Sequence, residues 1–313
     1  MHAELPLFEA TFRALGSHCR IVSDVEHSLL DSVHRLEDLE ARWSRFISTS
    51  EVSQLNACSG DWVDVSDITR RLISRACEAS ERTSGVMNPL LLKAMVELGY
   101  DRSHELLDAA DSDIEPGTPF ARDHWVAPVA SHIEIEGGRV RLPIGSAFDP
   151  GGVGKGLAAD ILMEDLLGAG AKWALVSLGG DLRFGGDELL RRGWETHIEH
   201  PGNPGHVWGS VRISSGALAT SSTMSRRWHH QGVQRHHLLN PATGRPASGS
   251  RLAATVHADE AWWADVIAKV LVVDGDVGQR AIDNWGVRAL VFDEEGPIDF
   301  GLDAVESAAF APT

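Results

Sequence analysis

The chain has 313 residues, enough for one or two domains around a large core. Its 45 acidic residues outnumber 28 Lys plus Arg, and the resulting charge of −17 argues against a general nucleic-acid binder, since such a chain gains nothing from phosphate counterion release. Cys19, Cys58 and Cys77 form no C-x-x-C pair, so neither a zinc site nor a disulfide framework is favoured.

In chain order, the stretch MHAELPLFEATFRALGSHC lacks the basic and long apolar segments of a signal peptide. No run of about 18 apolar residues follows that would span a membrane. A cytoplasmic protein is the simplest reading. Leu29, Val33, Leu36, Leu39 and Trp43 recur near helical spacing and predict a helix over 28–46. A second helix is expected over 65–85, with Ser66 or Asp67 as N-cap and Gly85 beyond its end. Residues 108–124 are acidic and turn-rich and read as a surface insertion. Residues 132–143 alternate around Gly-Gly, the pattern of a β-hairpin. A helix over 155–171 precedes a strand over 173–180, another helix falls in 258–275, and a strand begins near Val287. The last residues, ESAAFAPT, read as a loose tail. The pattern is that of a mixed α and β protein with no internal repeat.

The stretch DPGGVGKGLAAD, residues 149–160, is neither a Walker A loop nor G-x-G-x-x-G. Glycines let backbone N–H groups approach an anion, the helix start adds partial positive charge, and Lys155 adds a full one. Asp149 is odd in an anion site unless it accepts hydrogen bonds from a ligand ring or ribose. The competing reading is a glycine-rich strand-to-helix turn with a solvated lysine.

The neighbouring segments are ALVSLGGDLRFGG (174–186) and ALATSSTMSRRWHHQGVQRHHLLNPATGRPAS (217–248). With DPGGVGKGLAAD, and in this order, they resemble the ApbE family of FAD:protein FMN transferases. SRFISTSEVSQLNA, ASERTSGVMNPLL and ADEAWWADVIAKVLVVDG extend the resemblance over nearly the whole chain, and ALGSHCRIV sits where the family has its first strand. The resemblance implies a single α+β domain over 1–313, with antiparallel sheets flanked by helices and room for two tightly packed subdomains. It also implies FMN transfer from FAD to a Ser or Thr hydroxyl of an acceptor protein, with release of AMP. That reaction is phosphoryl transfer, which rests on positioning and charge neutralisation.

Residue by residue, the resemblance assigns FAD contacts to Leu15, Phe46, Val86, Met87, Asn88, Asp149, Lys155 and Leu239, and to Thr220 in the Thr220-Ser221 loop. It assigns a Mg²⁺ ion to the Gly152 carbonyl and Asp265. Lys269 stands where the family has a metal-binding Thr, four residues after Asp265 and on the same helix face. It either pairs with Asp265 and removes the metal site, or fills the metal's place with its own charge, or forms an ordinary surface pair on the helix. Asn88, Asn240 and Ser222 also depart from the family pattern. The two His pairs around Gly232 read as a hairpin, where adjacent residues face opposite sides, so a metal cluster is disfavoured. His237 is the candidate general base by its place in the motif. The tryptophans are expected to pack rather than stack on a flavin. Two classes of function stand: the transferase, with FAD hydrolysis as its side reaction, or a non-catalytic FAD-binding protein with an altered metal site.

Overall fold

The computed structural model describes residues 7–103, 107, 125–186, 193–203 and 205–307. The first two strands, β1 (Phe8–Ala14) and β2 (Ser17–Ser23), are joined by Leu15 and Gly16. Both turn residues have positive φ, 51° and 62°, the conformation that lets a two-residue loop follow the twist of its strands. Gly16 adopts it freely; Leu15 is held there against its own sterics.

Then come α1 (His27–Trp43), α2 (Glu51–Ala57), β3 (Trp62–Asp64), α3 (Asp67–Arg82), α4 (Leu92–Glu97), β4 (Glu134–Glu136) and β5 (Arg139–Arg141). A 3₁₀ turn at Pro150–Gly152 leads into α5 (Gly154–Gly168), β6 (Trp173–Leu178) and β7 (Asp181–Gly186). Strands β8 (Trp194–Glu199), β9 (Val207–Ile213), β10 (Gly216–Ser222), β11 (Arg227–His230) and β12 (Val233–His236) follow. The chain continues through β13 (Leu239–Asn240), β14 (Arg245–Pro246), β15 (Ala253–Ala258), α6 (Ala261–Val273) and α7 (Gly275–Trp285). The described residues close with β16 (Arg288–Phe292), β17 (Pro297–Phe300) and β18 (Val305–Glu306).

The main sheet has eight strands in the order β1-β2-β6-β7-β10-β15-β16-β17, and each of these neighbouring ladders is antiparallel. Both its faces are buried, and the side chains sort by the two-residue period of a strand. In β6, Ala174, Val176 and Leu178 join the core under the helices, while Trp173 and Leu175 join a second core. In β16, Ala289 and Val291 go one way, and Leu290 and Phe292 the other. That second core is closed by Trp208, Val211 and Ile213 of β9, which lies in a small sheet of order β18-β9-β8. The result is an α+β architecture of helices, large sheet and small sheet.

The helices expected over 28–46, 65–85, 155–171 and 258–275 form as α1, α3, α5 and α6. Ser66 is the N-cap of α3, accepting the Thr69 N–H at 3.4 Å. The expected hairpin is β4–β5, turning at Gly137-Gly138. The proposed insertion at 108–124 and the last six residues of the proposed tail lie outside the described residues.

Helices α5 and α6 fix the site, and two residues of the 149–160 stretch fix them to each other. A Cβ on Gly156 would lie 2.4 Å from the Ala261 carbonyl oxygen, so only glycine permits this approach. Asp160 is buried and accepts the Ala261 and Trp262 N–H groups, each at 2.9 Å, together with Arg183 Nε at 2.8 Å. It caps α6 from a neighbouring helix, satisfying donors that Glu260, at the N-cap position, leaves open.

Candidate active site

A cavity of about 640 Å³ opens where the β1–β2 turn, the segment after α1, the start of α5, the chain before β11 and the middle of α6 meet. Its lining includes Leu15, Phe46, Val86, Met87, Asn88, Asp149, Gly152, Lys155, His237, Leu239 and Lys269. These eleven of the thirteen sequence-derived candidates are thus brought together; Asp265, which is buried, and Thr220, which is exposed, are not part of the lining. Thr220 hydrogen-bonds Thr255 through the two hydroxyls at 2.9 Å. Its N–H donates to Asp181 Oδ1 at 3.4 Å.

One side of the cavity is apolar and aromatic. Leu15, Leu91, Met95 and Leu239 line it with Phe46 and Tyr100, whose rings meet edge-on at 6.4 Å. The Arg45 guanidinium lies over both rings, 4.3 Å and 4.7 Å from their centroids. Trp228 stacks behind Tyr100 at 5.1 Å. None of the other tryptophans except Trp43 reaches the lining, in keeping with a packing role.

The other side is polar. Asp149 accepts the Gly151 N–H at 3.2 Å and lies 3.6 Å from Arg45 Nε, so it is partly engaged. Lys155 is not a solvated turn lysine: its ammonium pairs with Asp181, whose side chain is 3% exposed. Asp181 is placed by the Gly179-Gly180 turn between β6 and β7, where both residues have positive φ, 64° and 95°. Burial works against the Lys155 charge, but Asp181 and then Asp265 more than offset it and raise its pKa. Burial also raises Asp181, against the pull of Lys155. On α6, one turn apart, Asp265 and Lys269 form a second pair through Asp265 Oδ1. Asp265 Oδ2 is enclosed without a hydrogen-bond partner.

His237 follows the β11–β12 hairpin. Its Nδ1 is enclosed and unpartnered. Its pKa lies well below the ordinary 6.5, chiefly through desolvation and then through Arg226 and Lys269. The ring is therefore neutral at physiological pH. Its neighbour His236 faces elsewhere and bonds the Ala247 carbonyl at 3.1 Å. Among the described residues no group of three or more His, Cys, Asp or Glu side chains is arranged to hold a metal ion.

The departures at Asn88, Asn240 and Ser222 have local explanations. Asn88 accepts the Leu90 N–H at 3.0 Å and donates Nδ2 to the Pro128 carbonyl at 2.8 Å; an ionised Asp could not donate. Asn240 accepts the Ala242 N–H at 2.9 Å and shapes the turn after β13. Ser222 Oγ accepts the Met224 N–H at 3.0 Å and donates to the Leu252 carbonyl at 3.2 Å. Sequence reasoning missed Asp181, Arg45, Tyr100 and Arg226. Asp181 closes the SLGGD segment and Arg45 precedes Phe46, so both lay inside stretches already singled out.

The ApbE family's sequence profile matches residues 15–291. The chain belongs to the ApbE family. Among relatives, the FAD:protein FMN transferase of Rhodobacter capsulatus is 29% identical over 274 residues, covering 84% of this chain and 51% of that protein. The chain thus spans about half the length of that relative. The FAD:protein FMN transferase of Treponema pallidum is 27% identical over 285 residues, covering 83% of this chain and 77% of that one. Among solved structures, the ApbE protein of Thermotoga maritima has a TM-score of 0.77 at 24% identity, covering 97% of this chain and 98% of that one. The flavinyl transferase ApbE of Pseudomonas stutzeri has a TM-score of 0.78 at 20% identity, covering 95% of each chain. These likenesses fix the ApbE fold. Among the described residues, no helix of this ApbE chain is long and apolar enough to cross a membrane.

Proposed function

We propose that this ApbE chain transfers FMN from FAD to a Ser or Thr hydroxyl of a separate protein and releases AMP. Family membership and the chain's likeness to FAD:protein FMN transferases support the reaction class. The observation that carries it is a neutral His237 on the same wall as Lys155, Arg226 and Lys269, facing an aromatic and apolar side. A flat ring system suits the latter, and a pyrophosphate the former.

In this reading the acceptor oxygen bonds the phosphorus of the FMN half. The bond from that phosphorus to the bridging oxygen breaks, and AMP departs with it. His237 takes the hydroxyl proton and returns it to the phosphate of AMP. The cations neutralise charge that develops on the phosphoryl oxygens.

The Mg²⁺ that the family resemblance implies fits these residues poorly. Mg²⁺ needs several oxygen ligands in a near-octahedral set. Here Asp265 has one open oxygen, Oδ2, and Gly152 lines the cavity, but the Lys269 ammonium holds Oδ1 and Lys155 holds Asp181. Each buried carboxylate already has a counter-charge. No step is therefore routed through a metal, and the two lysines stand in for part of its charge. The same pair favours a second reading, FAD binding with slow hydrolysis or no turnover, because two single charges are a weaker substitute for one held divalent ion.

Incubation with FAD and a flavin-accepting protein domain tests the proposal. Transfer predicts the mass gain of FMN on the acceptor and an equal amount of AMP. AMP without acceptor labelling supports hydrolysis; saturable FAD binding with neither product supports the binding protein.

A further inference from the structure

The cavity wall carries one guanidinium that has no partner among the described residues. Arg13 meets His18 at 3.0 Å, and Arg45 bonds the Tyr100 carbonyl at 3.0 Å and approaches Asp149. Lys155 and Lys269 are paired with Asp181 and Asp265. Arg226 lines the same cavity, and among the described residues its side chain makes no hydrogen bond, ion pair or ring contact.

Its backbone is unusual too. Arg226 has φ 47°, the left-handed region that is costly for a non-glycine residue and persists only where the surroundings over-determine it. Those surroundings are visible. Ser222 Oγ ties the Met224 N–H to the Leu252 carbonyl, and Ser225 Oγ donates to the Ser222 carbonyl at 3.2 Å. On the other side, Arg227 Nε donates to the Thr223 carbonyl at 2.6 Å. The segment before β11 is thus pinned at both ends of a strained residue whose charged head is left open. A merely solvated arginine needs neither the strain nor the pinning. Arg226 also acts on two neighbours in the cavity lining, disfavouring a charge on His237 and on Lys155.

We infer that Arg226 binds the pyrophosphate of the dinucleotide, its planar fork spanning oxygens of the phosphates beside His237. The inference rests on the flavin-transfer reading for the identity of the ligand. The charges point the same way independently: the two lysines arrive neutralised by carboxylates, so the open guanidinium gives a dianion the most new charge.

Fluorescence titration with FAD, and calorimetric titration with ADP and riboflavin, tests this on the parent, Arg226→Asn and Arg226→Lys. Asn tolerates the left-handed backbone, so the substitution removes the guanidinium without adding strain. A lost charge-assisted pair corresponds to roughly 10- to 100-fold weaker binding. We expect that loss for FAD and ADP in Arg226→Asn, partial recovery in Arg226→Lys, and unchanged riboflavin affinity and melting temperature, since riboflavin has no phosphate. FAD and ADP affinities within about twofold of the parent in Arg226→Asn would overturn the inference alone. An equal loss for riboflavin would also overturn it, by showing a packing effect. A parent that binds FAD nowhere in the micromolar range would overturn both this inference and the flavin reading.

Discussion

Lys269→Thr isolates the charge logic of the site. Asp265 is 3% exposed at its side chain, and its Oδ1 is held by Lys269, itself 15% exposed. Removing one partner of a buried pair leaves the other charge uncompensated, at about 3–5 kcal/mol. Lys155 remains near Asp265, and the threonine leaves room for water, so the lower figure applies. About 3 kcal/mol corresponds to a fall in melting temperature of roughly 6–12 °C, using the 2–4 °C per kcal/mol of slightly smaller proteins. The introduced hydroxyl would also add an oxygen beside Asp265, so Mg²⁺ should bind the variant. At a hundredfold excess over its Kd it would restore about 2.7 kcal/mol. The assay is calorimetric melting of parent and variant, with and without millimolar Mg²⁺, alongside FMN transfer. The parent should be nearly indifferent to Mg²⁺, and the variant should require it. Equal melting temperatures in both conditions would show that the pair is an ordinary helix contact. A parent stabilised by Mg²⁺ as much as the variant would show that metal and Lys269 coexist.

His237→Gln should abolish transfer while leaving FAD affinity within about threefold, measured by AMP release and by fluorescence titration, because a general base contributes to the reaction rather than to ground-state binding. Native His237 resists protonation, whereas in the unfolded chain it takes up a proton near pH 6.5. Its contribution to stability is therefore full above about pH 6.5 and lost as the pH falls through the depressed folded value. Urea melts of the parent at pH 7.5 and 5.5 should differ more than those of His237→Gln; parallel curves would remove the histidine from the pH response. Gly156→Ala should destabilise the fold by about 1–3 kcal/mol net, even though alanine ordinarily gains about 1 kcal/mol over glycine in a helix, because its Cβ would lie 2.4 Å from a backbone oxygen of α6. A denaturant midpoint at or above the parent's would refute the close-approach reading.

Much of this was legible in the sequence, for reasons that differ by residue. Helices α1 and α3 carry apolar residues on one face, so periodicity located them. Helix α7 was missed: it starts directly after α6 at Asp274, whose side chain caps it at Asp276 and Val277, and no break in composition marks the junction. The single strand expected near residues 14–22 is in fact the β1–β2 hairpin, because Leu15 takes a left-handed turn that a leucine rarely adopts. At the site, ordered motifs located the cavity but not the partners inside it. Asp181, placed by the Gly179-Gly180 turn at the start of β7, meets Lys155 of α5, and a pairing between a helix and a strand 26 residues on leaves no spacing to read. Arg226 was invisible for a different reason: its significance lies in having no partner among the described residues, which no sequence pattern can express.

The stretch DPGGVGKGLAAD divides its labour in a way that bears on how the site tolerates change. Gly156 and Asp160 serve the docking of α6 on α5, one by having no side chain and the other by capping the helix across the gap. Lys155, directly before Gly156 in sequence, lines the cavity instead. Asp265 and Lys269 ride on α6, so their distance from Lys155 and Asp181 is set by that docking and not by any contact of their own with the cap. A four-charge cluster whose two carboxylates are buried responds steeply to displacement, since its attractions are strong only at contact in a low dielectric. Asp160→Asn illustrates the consequence. It would keep an acceptor for one of the two N–H groups and lose the ionic bond to Arg183, loosening α6 without touching the cavity. Its first effect should therefore appear as weaker FAD binding at modest cost in stability, and a variant with lower melting temperature but unaltered FAD affinity would show that the cluster holds its own geometry.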